Sequence, residues 1–187
     1  MKHKGTKTLK SQRLCLRKFS QKDTLPMFNN WANDVEVTKY LTWQPHKDIS
    51  VTEFVVNEWI KSYGKKDFYQ WVIVLKDTKE PVGNIGVVLK NDSIGMFHIG
   101  YCIGRKWWRQ GITSEALSMV IKYLFDEVGA NRIESRHDVN NPNSGKVMKK
   151  CGMVYEGTLR KSDINNQGIC DCCYYSILKE DYEKQYD

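Results

Sequence analysis

The chain has 187 residues, enough for one domain with a sizeable core and no covalent staples. A hydrophobic content of 41% with 27% charged residues is that of a globular protein and excludes a disordered or fibrous one. The net charge of +7 suits an anionic ligand or an acidic protein surface. Yet no dense basic run with interleaved aromatics supports direct binding of nucleic acid.

The opening stretch, MKHKGTKTLKSQ, is polar and no long apolar run follows, so neither a signal peptide nor a membrane span is expected. Six cysteines without a secretory signal predict free thiols in a reducing cytoplasm. Leu9–Lys18 alternates in polarity and predicts a first strand. Ser20 and Asp23 resemble a cap for a short helix that Pro26 keeps irregular, and Trp31–Tyr40 predicts a second helical piece. Thr42–Ile49 is a loop broken by Pro45. Ser50 and Glu53 have capping-box spacing ahead of an apolar stripe that Gly64 ends, which assigns Glu53 to a cap rather than to catalysis.

Tyr69–Leu75, Val82–Leu89 and Met96–Ile103 are joined by short turns and predict an antiparallel meander. Both faces of Met96–Ile103 are apolar, so it should lie centrally. Gly111 then opens a helix with the stripe Leu117, Val120, Ile121, Leu124, Phe125 and Val128. A glycine admits close backbone approach, and a helix start presents unpaired N–H groups and a positive dipole end. Together they make an anion site for which phosphate is the usual occupant.

Arg132–Val139 predicts a strand parallel to Met96–Ile103, since a helix connects the two. Asn141 and Pro142 read as N-cap and N1 of a further helix, with Lys149 and Lys150 in its last turn and Gly152 as its stop. Gly145 inside that helix costs about 1 kcal/mol relative to Ala, which suggests that a neighbour needs the space. Cys170, Cys172 and Cys173 are close together but lack a second ligand pair at zinc spacing, and CDCCYYSIL reads as a strand, so no metal is expected.

Lys106–Leu117 resembles the acetyl-CoA loop of the GNAT superfamily of N-acetyltransferases, in which Arg or Gln, two residues, Gly, one residue and Gly or Ala follow in order. Here those positions read Trp108, Arg109 and Gln110, Gly111, Ile112 and Thr113. Trp108 and Thr113 depart from the general pattern, and Trp in first place is common in the Rim-type branch, which includes ribosomal-protein N-terminal acetyltransferases. Asn141, Ser144, Gly152, Met153, Glu156 and Gly157 match a second signature of that branch. The resemblance extends from about Leu9 to Leu178 and is weaker before Tyr69.

The resemblance implies a single domain over residues 1–187 with an α/β (α+β) fold. Its sheet would be mixed, mostly antiparallel and twisted, flanked by helices and splayed at a central parallel strand pair. Acetyl-CoA would bind along Tyr101, Cys102, Ile103, Trp108–Ser114, Asn141 and Ser144, with no metal required. Transfer to a primary amine would be direct, with N–H groups near Tyr101–Ile103 stabilising the oxyanion and Ser144 protonating the leaving thiolate. Ser144 is also readable as a helix-start hydroxyl. Cys102 is the nearest candidate for a covalent route, but a strand-buried cysteine reads as a small hydrophobe.

The base is left open among Asp163, His98 (where the branch often has Glu), Glu156, His137 and water held by backbone alone. Trp43 and His46 are the candidate acceptor-pocket residues, while Trp31 and Trp71 read as core. Three functions remain: acetylation of a protein N-terminus or lysine, acetylation of a small amine such as an amino acid, polyamine or antibiotic, and a CoA-binding module without turnover. Homodimerisation is left open.

Overall fold

The computed structural model describes residues 1–186, with side chains through Lys184. Its strands are β1 (Leu9–Lys10), β2 (Leu14–Arg17), β3 (Gln70–Leu75), β4 (Pro81–Asn91), β5 (Met96–Ile103), β6 (Arg132–Asp138), β7 (Val154–Asn165) and β8 (Gly168–Leu178). All eight join one sheet in the order β1-β2-β3-β4-β5-β6-β8-β7. Every pairing is antiparallel except β5 with β6, which the crossover helix between them forces to be parallel. The mixed sheet with a parallel pair is therefore as expected, and β5 is internal.

Leu9–Lys18 is not one strand. Leu14 N–H donates to Ser11 Oγ (2.9 Å) and Ser11 N–H to the Leu14 carbonyl (3.0 Å), closing a turn that folds β1 back onto β2. Leu9 then faces Leu16 across a two-stranded ribbon. Polarity alternates on both sides of that turn, so the break is invisible to periodicity.

The helices are α1 (Thr24–Met27), α2 (Val35–Thr38), α3 (Ile49–Ser62), α4 (Ile112–Tyr123), α5 (Pro142–Lys150) and α6 (Lys179–Tyr186). None is long and apolar enough to cross a membrane. The cap of α3 is Asp48, whose carboxylate accepts from Ser50 N–H at 2.8 Å, and this replaces the expected Ser50 cap. The carboxylate of Asp23 does take the backbone N–H of Ser20 at 2.8 Å, and Arg17 locks it from the other side with two 2.7 Å bonds. After α1 the chain widens into one π-type turn, Phe28–Ala32, consistent with the irregularity expected around Pro26.

Two cores form on the two faces of the sheet. Leu14, Leu16, Trp71, Ile73, Ile85, Phe97, Ile99 and Ile133 pack against α4 and α5. Phe19, Met27, Trp31, Val72 and Cys102 pack with Val56 of α3 on the opposite face. Trp31 and Trp71 are fully buried, as read from the sequence. β7 at the sheet edge is largely exposed, and its register against β8 shifts twice, between Tyr155 and Gly157 and between Leu159 and Asp163.

Candidate active site

The parallel pair is hydrogen-bonded in register only at Met96–Arg132, Phe97–Ile133 and His98–Glu134. Beyond these positions β5 and β6 separate, while β5 stays paired to β4 as far as Ile103. The Ser135 hydroxyl bridges the start of the gap by donating to the Ile99 carbonyl at 2.8 Å. The Ile103 carbonyl accepts from Trp108 Nε1 at 2.9 Å, whereas Gly104 N–H turns the other way, to the Val82 carbonyl on β4. Strand alternation between Ile99 and Ile103 therefore aims the N–H and C=O of Tyr101 into the gap. Cys102, one residue out of phase, faces β4 with its backbone and puts its thiol in the second core, where burial pushes the thiol pKa up. A cysteine held neutral in that way is no nucleophile.

α5 closes one side of the gap. The hydroxyls of Tyr101 and Ser144 lie 2.8 Å apart, and Tyr101 also donates to the Ser144 carbonyl at 3.1 Å. One proton assignment satisfies both contacts: Ser144 donates to Tyr101, and Tyr101 to the carbonyl. Burial drives the Tyr101 phenol well above its ordinary pKa, so it stays a neutral donor. Asn141 begins α5 through Pro142 but makes no side-chain capping bond, which leaves its amide available for a ligand. Gly145 is required by His137: a Cβ there would stand 2.5 Å from the ring's Nε2.

At the other end of the site, Gly111 has φ +74° and opens α4 with no side-chain cap. Arg109 is likewise left-handed, with φ +62°. Trp108 and Arg109 are exposed, Thr113 is half-buried, Ile112 anchors the turn in the core, and the amide of Gln110 donates to the Lys106 carbonyl. The first-turn N–H groups of Ile112, Thr113 and Ser114 lack carbonyls one turn earlier in the helix. A cleft of about 210 Å³ lies alongside, lined by Arg13, Gly111, Ser114, Glu115, Ser118 and Lys150. Arg13 and Lys150 escaped the sequence reading because they belong to the β1–β2 ribbon and the end of α5, which only the fold brings to Gly111.

The base candidates separate by their partners. Asp163 accepts from Arg136 Nε at 2.8 Å in a partly buried ion pair. Glu156 takes two bonds from Arg132 and one from Ser176, and the guanidinium holds it down at about 2. His137 donates from Nδ1 to the Asp138 carbonyl at 2.7 Å and turns Nε2 against Gly145. His98 is 4% exposed, with Nδ1 3.1 Å from Glu134 Oε1 and Nε2 without a partner among the described residues. His98 and Glu134 are the last in-register pair before the gap.

Of the acceptor-pocket candidates, His46 is a buried loop anchor: its Nδ1 meets Thr52 Oγ1 at 2.8 Å, its ring lies 5.2 Å from that of Trp43, and burial lowers its pKa. The loop it anchors is tied across the face by Asn166 of the β7–β8 turn. Asn166 Nδ2 donates to the carbonyls of Thr38 (2.9 Å) and Trp43 (2.8 Å), and its Oδ1 accepts from Gln44 at 2.6 Å. Sequence reading gave no sign of this clasp. Cys170 and Cys172 have sulfurs 3.9 Å apart, with Cys170 raised to about 12 by burial. No group of three His, Cys, Asp or Glu among the described residues could hold a metal ion.

Known proteins share this fold. The family model of the acetyltransferase (GNAT) domain matches residues 13–154. The uncharacterized N-acetyltransferase p20 of Bacillus licheniformis is 31% identical over 175 residues, which cover 94% of this chain and 98% of p20. The [ribosomal protein uS5]-alanine N-acetyltransferase of Escherichia coli (strain K12) is 26% identical over 162 residues, 80% of this chain and 79% of that protein. A crystal structure of a GNAT-family acetyltransferase from Bacillus anthracis superposes with a TM-score of 0.81 at 30% identity, covering 93% of this chain and 99% of that one. With its splayed parallel pair, its glycine-opened α4 and these relatives, the chain belongs to the GNAT acetyltransferase family.

Proposed function

We propose that this enzyme moves the acetyl group of acetyl-CoA onto the N-terminal amine of a protein, and that the transfer takes place in the gap between β5 and β6. The observation that carries this reading is the backbone of Tyr101, aimed into the gap beside the Tyr101–Ser144 hydroxyl pair. Acetyl-CoA, when bound, supplies a thioester carbonyl that an amine can attack. Tyr101 N–H is placed to stabilise negative charge on that oxygen, in a site fixed before reaction. Ser144 gives its proton to the departing sulfur and regains one from water, while the neutral Tyr101 phenol keeps its own proton on the Ser144 carbonyl and holds the hydroxyl in place. The unpaired N–H groups of Ile112–Ser114 at the α4 start hold the diphosphate.

His98 removes the amine's proton through water. Glu134 fixes the ring through Nδ1, so Nε2 is the free position. Asp163 and Glu156 are each engaged by an arginine, whereas His98 keeps one ring nitrogen without a partner among the described residues. The protein acceptor is favoured by the ribosomal-protein alanine N-acetyltransferase among the relatives. A small amine is favoured by a different observation, the Asn166 clasp, which ties the β7–β8 turn to the Thr38–Gln44 segment across the candidate acceptor face.

Thiol release from acetyl-CoA, measured with peptides beginning in Ser or Ala and with a panel of small amines, decides between them. Turnover on the peptides alone supports the protein acceptor, and turnover on small amines alone replaces it. Binding of CoA with no turnover on either would leave a CoA-binding module.

A further inference from the structure

The bonding of His98 does not end at Glu134. Straight across the sheet, the register sets His98 of β5 beside Glu134 of β6, Glu134 beside Ser176 of β8, and Ser176 beside Val154 of β7. Both oxygens of the Glu134 carboxylate are used: Oε1 lies 3.1 Å from His98 Nδ1, and Oε2 accepts from Arg132 Nε at 3.0 Å. The other edge of that guanidinium is used as well, since Nη1 and Nη2 donate to the two oxygens of Glu156 at 2.7 and 2.6 Å. Ser176 Oγ closes the set by accepting from Arg132 at 3.1 Å and donating to Glu156 at 2.6 Å. Glu156 is the extra residue where the register of β7 against β8 shifts, between Tyr155 and Gly157, and a bulge of this kind re-aims a side chain. Here it brings an edge-strand carboxylate back over β8 to a cation on β6.

The charges in this chain of bonds do not cancel. Two carboxylates face one guanidinium, so the set carries an excess negative charge that only an imidazolium at His98 can offset from within. The neighbouring charges are balanced without it. Arg136, next on the same face of β6, pairs with Asp163 and stands over the Tyr174 ring; Lys90, beside Leu89 on β4, is turned to Asp67 and Asp92. Leu89 lies directly across from His98 and is apolar, and no group of α1–α3 bonds to the imidazole among the described residues. The Glu134 side chain is only 14% exposed, so its charge is costly unless its partners are fixed. Resting on the reading that His98 is the base, we propose that Arg132 and Glu156 are positioning residues for acetyl transfer. They act through Glu134, which they keep from turning, so that it holds Nδ1–H of His98 and leaves Nε2 as the proton-accepting atom at the gap. The excess negative charge favours the protonated ring that forms when the amine loses its proton. The bonds from His98 and Arg132 hold the Glu134 carboxyl below its ordinary value, against its burial.

The test is an NMR titration of the imidazole signals against pH. The chain has four histidines, and the His98 signal is the one absent in His98→Gln. Glu134→Gln should lower the His98 midpoint by about one pH unit, the effect of removing a carboxylate in contact. Glu156→Gln should lower it by a smaller amount and Arg132→Met should raise it, because the first removes a distant negative charge and the second a nearer positive one. Arg132→Lys keeps the charge and should leave the midpoint close to that of the wild type. A loss of structure alone would not sort the variants by the sign of the charge removed. Glu134→Gln and Glu156→Gln keep size and shape, so they carry the test if thermal melts show that Arg132→Met does not fold. A His98 midpoint unmoved in Glu156→Gln, or lowered in a folded Arg132→Met, would overturn the proposal. The kcat/KM profile for thiol release with a Ser-initiated peptide should move with the midpoint in each variant, and a profile that stays in place while the midpoint moves would overturn it too. Full activity in His98→Gln would overturn the base reading itself, and any midpoint shifts would then describe a structural cluster only.

Discussion

Gly111 tests the anion loop at the scale of one residue. Its φ of +74° is costly for any residue with a Cβ, by about 1–2 kcal/mol, and more for a β-branched one. Gly111→Val should therefore leave the fold intact but weaken CoA at least tenfold, because relieving the strain moves the first-turn N–H groups; calorimetry with a circular dichroism control checks this. Ser144→Ala should lower kcat by about tenfold with CoA affinity unchanged, and Tyr101→Phe should lower it similarly if the two hydroxyls act as a pair. An unchanged kcat in Ser144→Ala would leave its hydroxyl a helix-start group. Both residue types were legible in the sequence, since a glycine before an apolar stripe and a Ser after Asn-Pro have local signatures. Lys150 had a local explanation as a helix-end cation, and Arg13 as a strand residue, so nothing in the sequence directed either to Gly111.

Elements explain where the sequence reading succeeded and where it failed. α4 was legible from its apolar stripe after Gly111, and α5 from its Asn141–Pro142 start and Gly152 stop. β7 was not, because an edge strand exposed along most of its length has no alternation to read. The β1–β2 ribbon was hidden for the opposite reason, since both halves alternate. α5 is set against β6 by the contact of Gly145 with His137, so Gly145→Ala should destabilise the protein by about 1–3 kcal/mol through overpacking. Shrinking the ring with His137→Ser should recover part of that loss in the double variant, as thermal melts would record.

The β6–β8–β7 layer has its own pH signature. Arg132 and Ser176 depress Glu156 from 4.5 to about 2, so the contribution of this carboxylate to stability is complete above its unfolded value. It is lost as pH falls from there through about 2. The stability difference between wild type and Glu156→Gln should accordingly shrink on acidification from pH 6 to pH 3, and a difference constant with pH would remove the ion pair from this account.

For the molecule as a whole, one sheet separates two kinds of work. The face carrying α4 and α5 supplies the anion loop, the gap-spanning hydroxyls and the cationic cleft. The opposite face carries α1–α3, the His98–Glu134 pair and the loop clasped by Asn166. The gap between β5 and β6 is where the two sides meet, and under the proposed function donor and acceptor approach it from opposite faces. The topology that opens this gap could be inferred from the sequence, because a helix between two strands makes them parallel neighbours. The clasp could not, since it joins residues more than 120 positions apart through backbone carbonyls that every residue possesses. The most direct measurement of the central claim is initial-rate thiol release from acetyl-CoA with a Ser- or Ala-initiated peptide, in the wild type and Ser144→Ala. The account predicts peptide-dependent release that falls about tenfold in the variant while CoA affinity holds; CoA binding without release on any amine would contradict it.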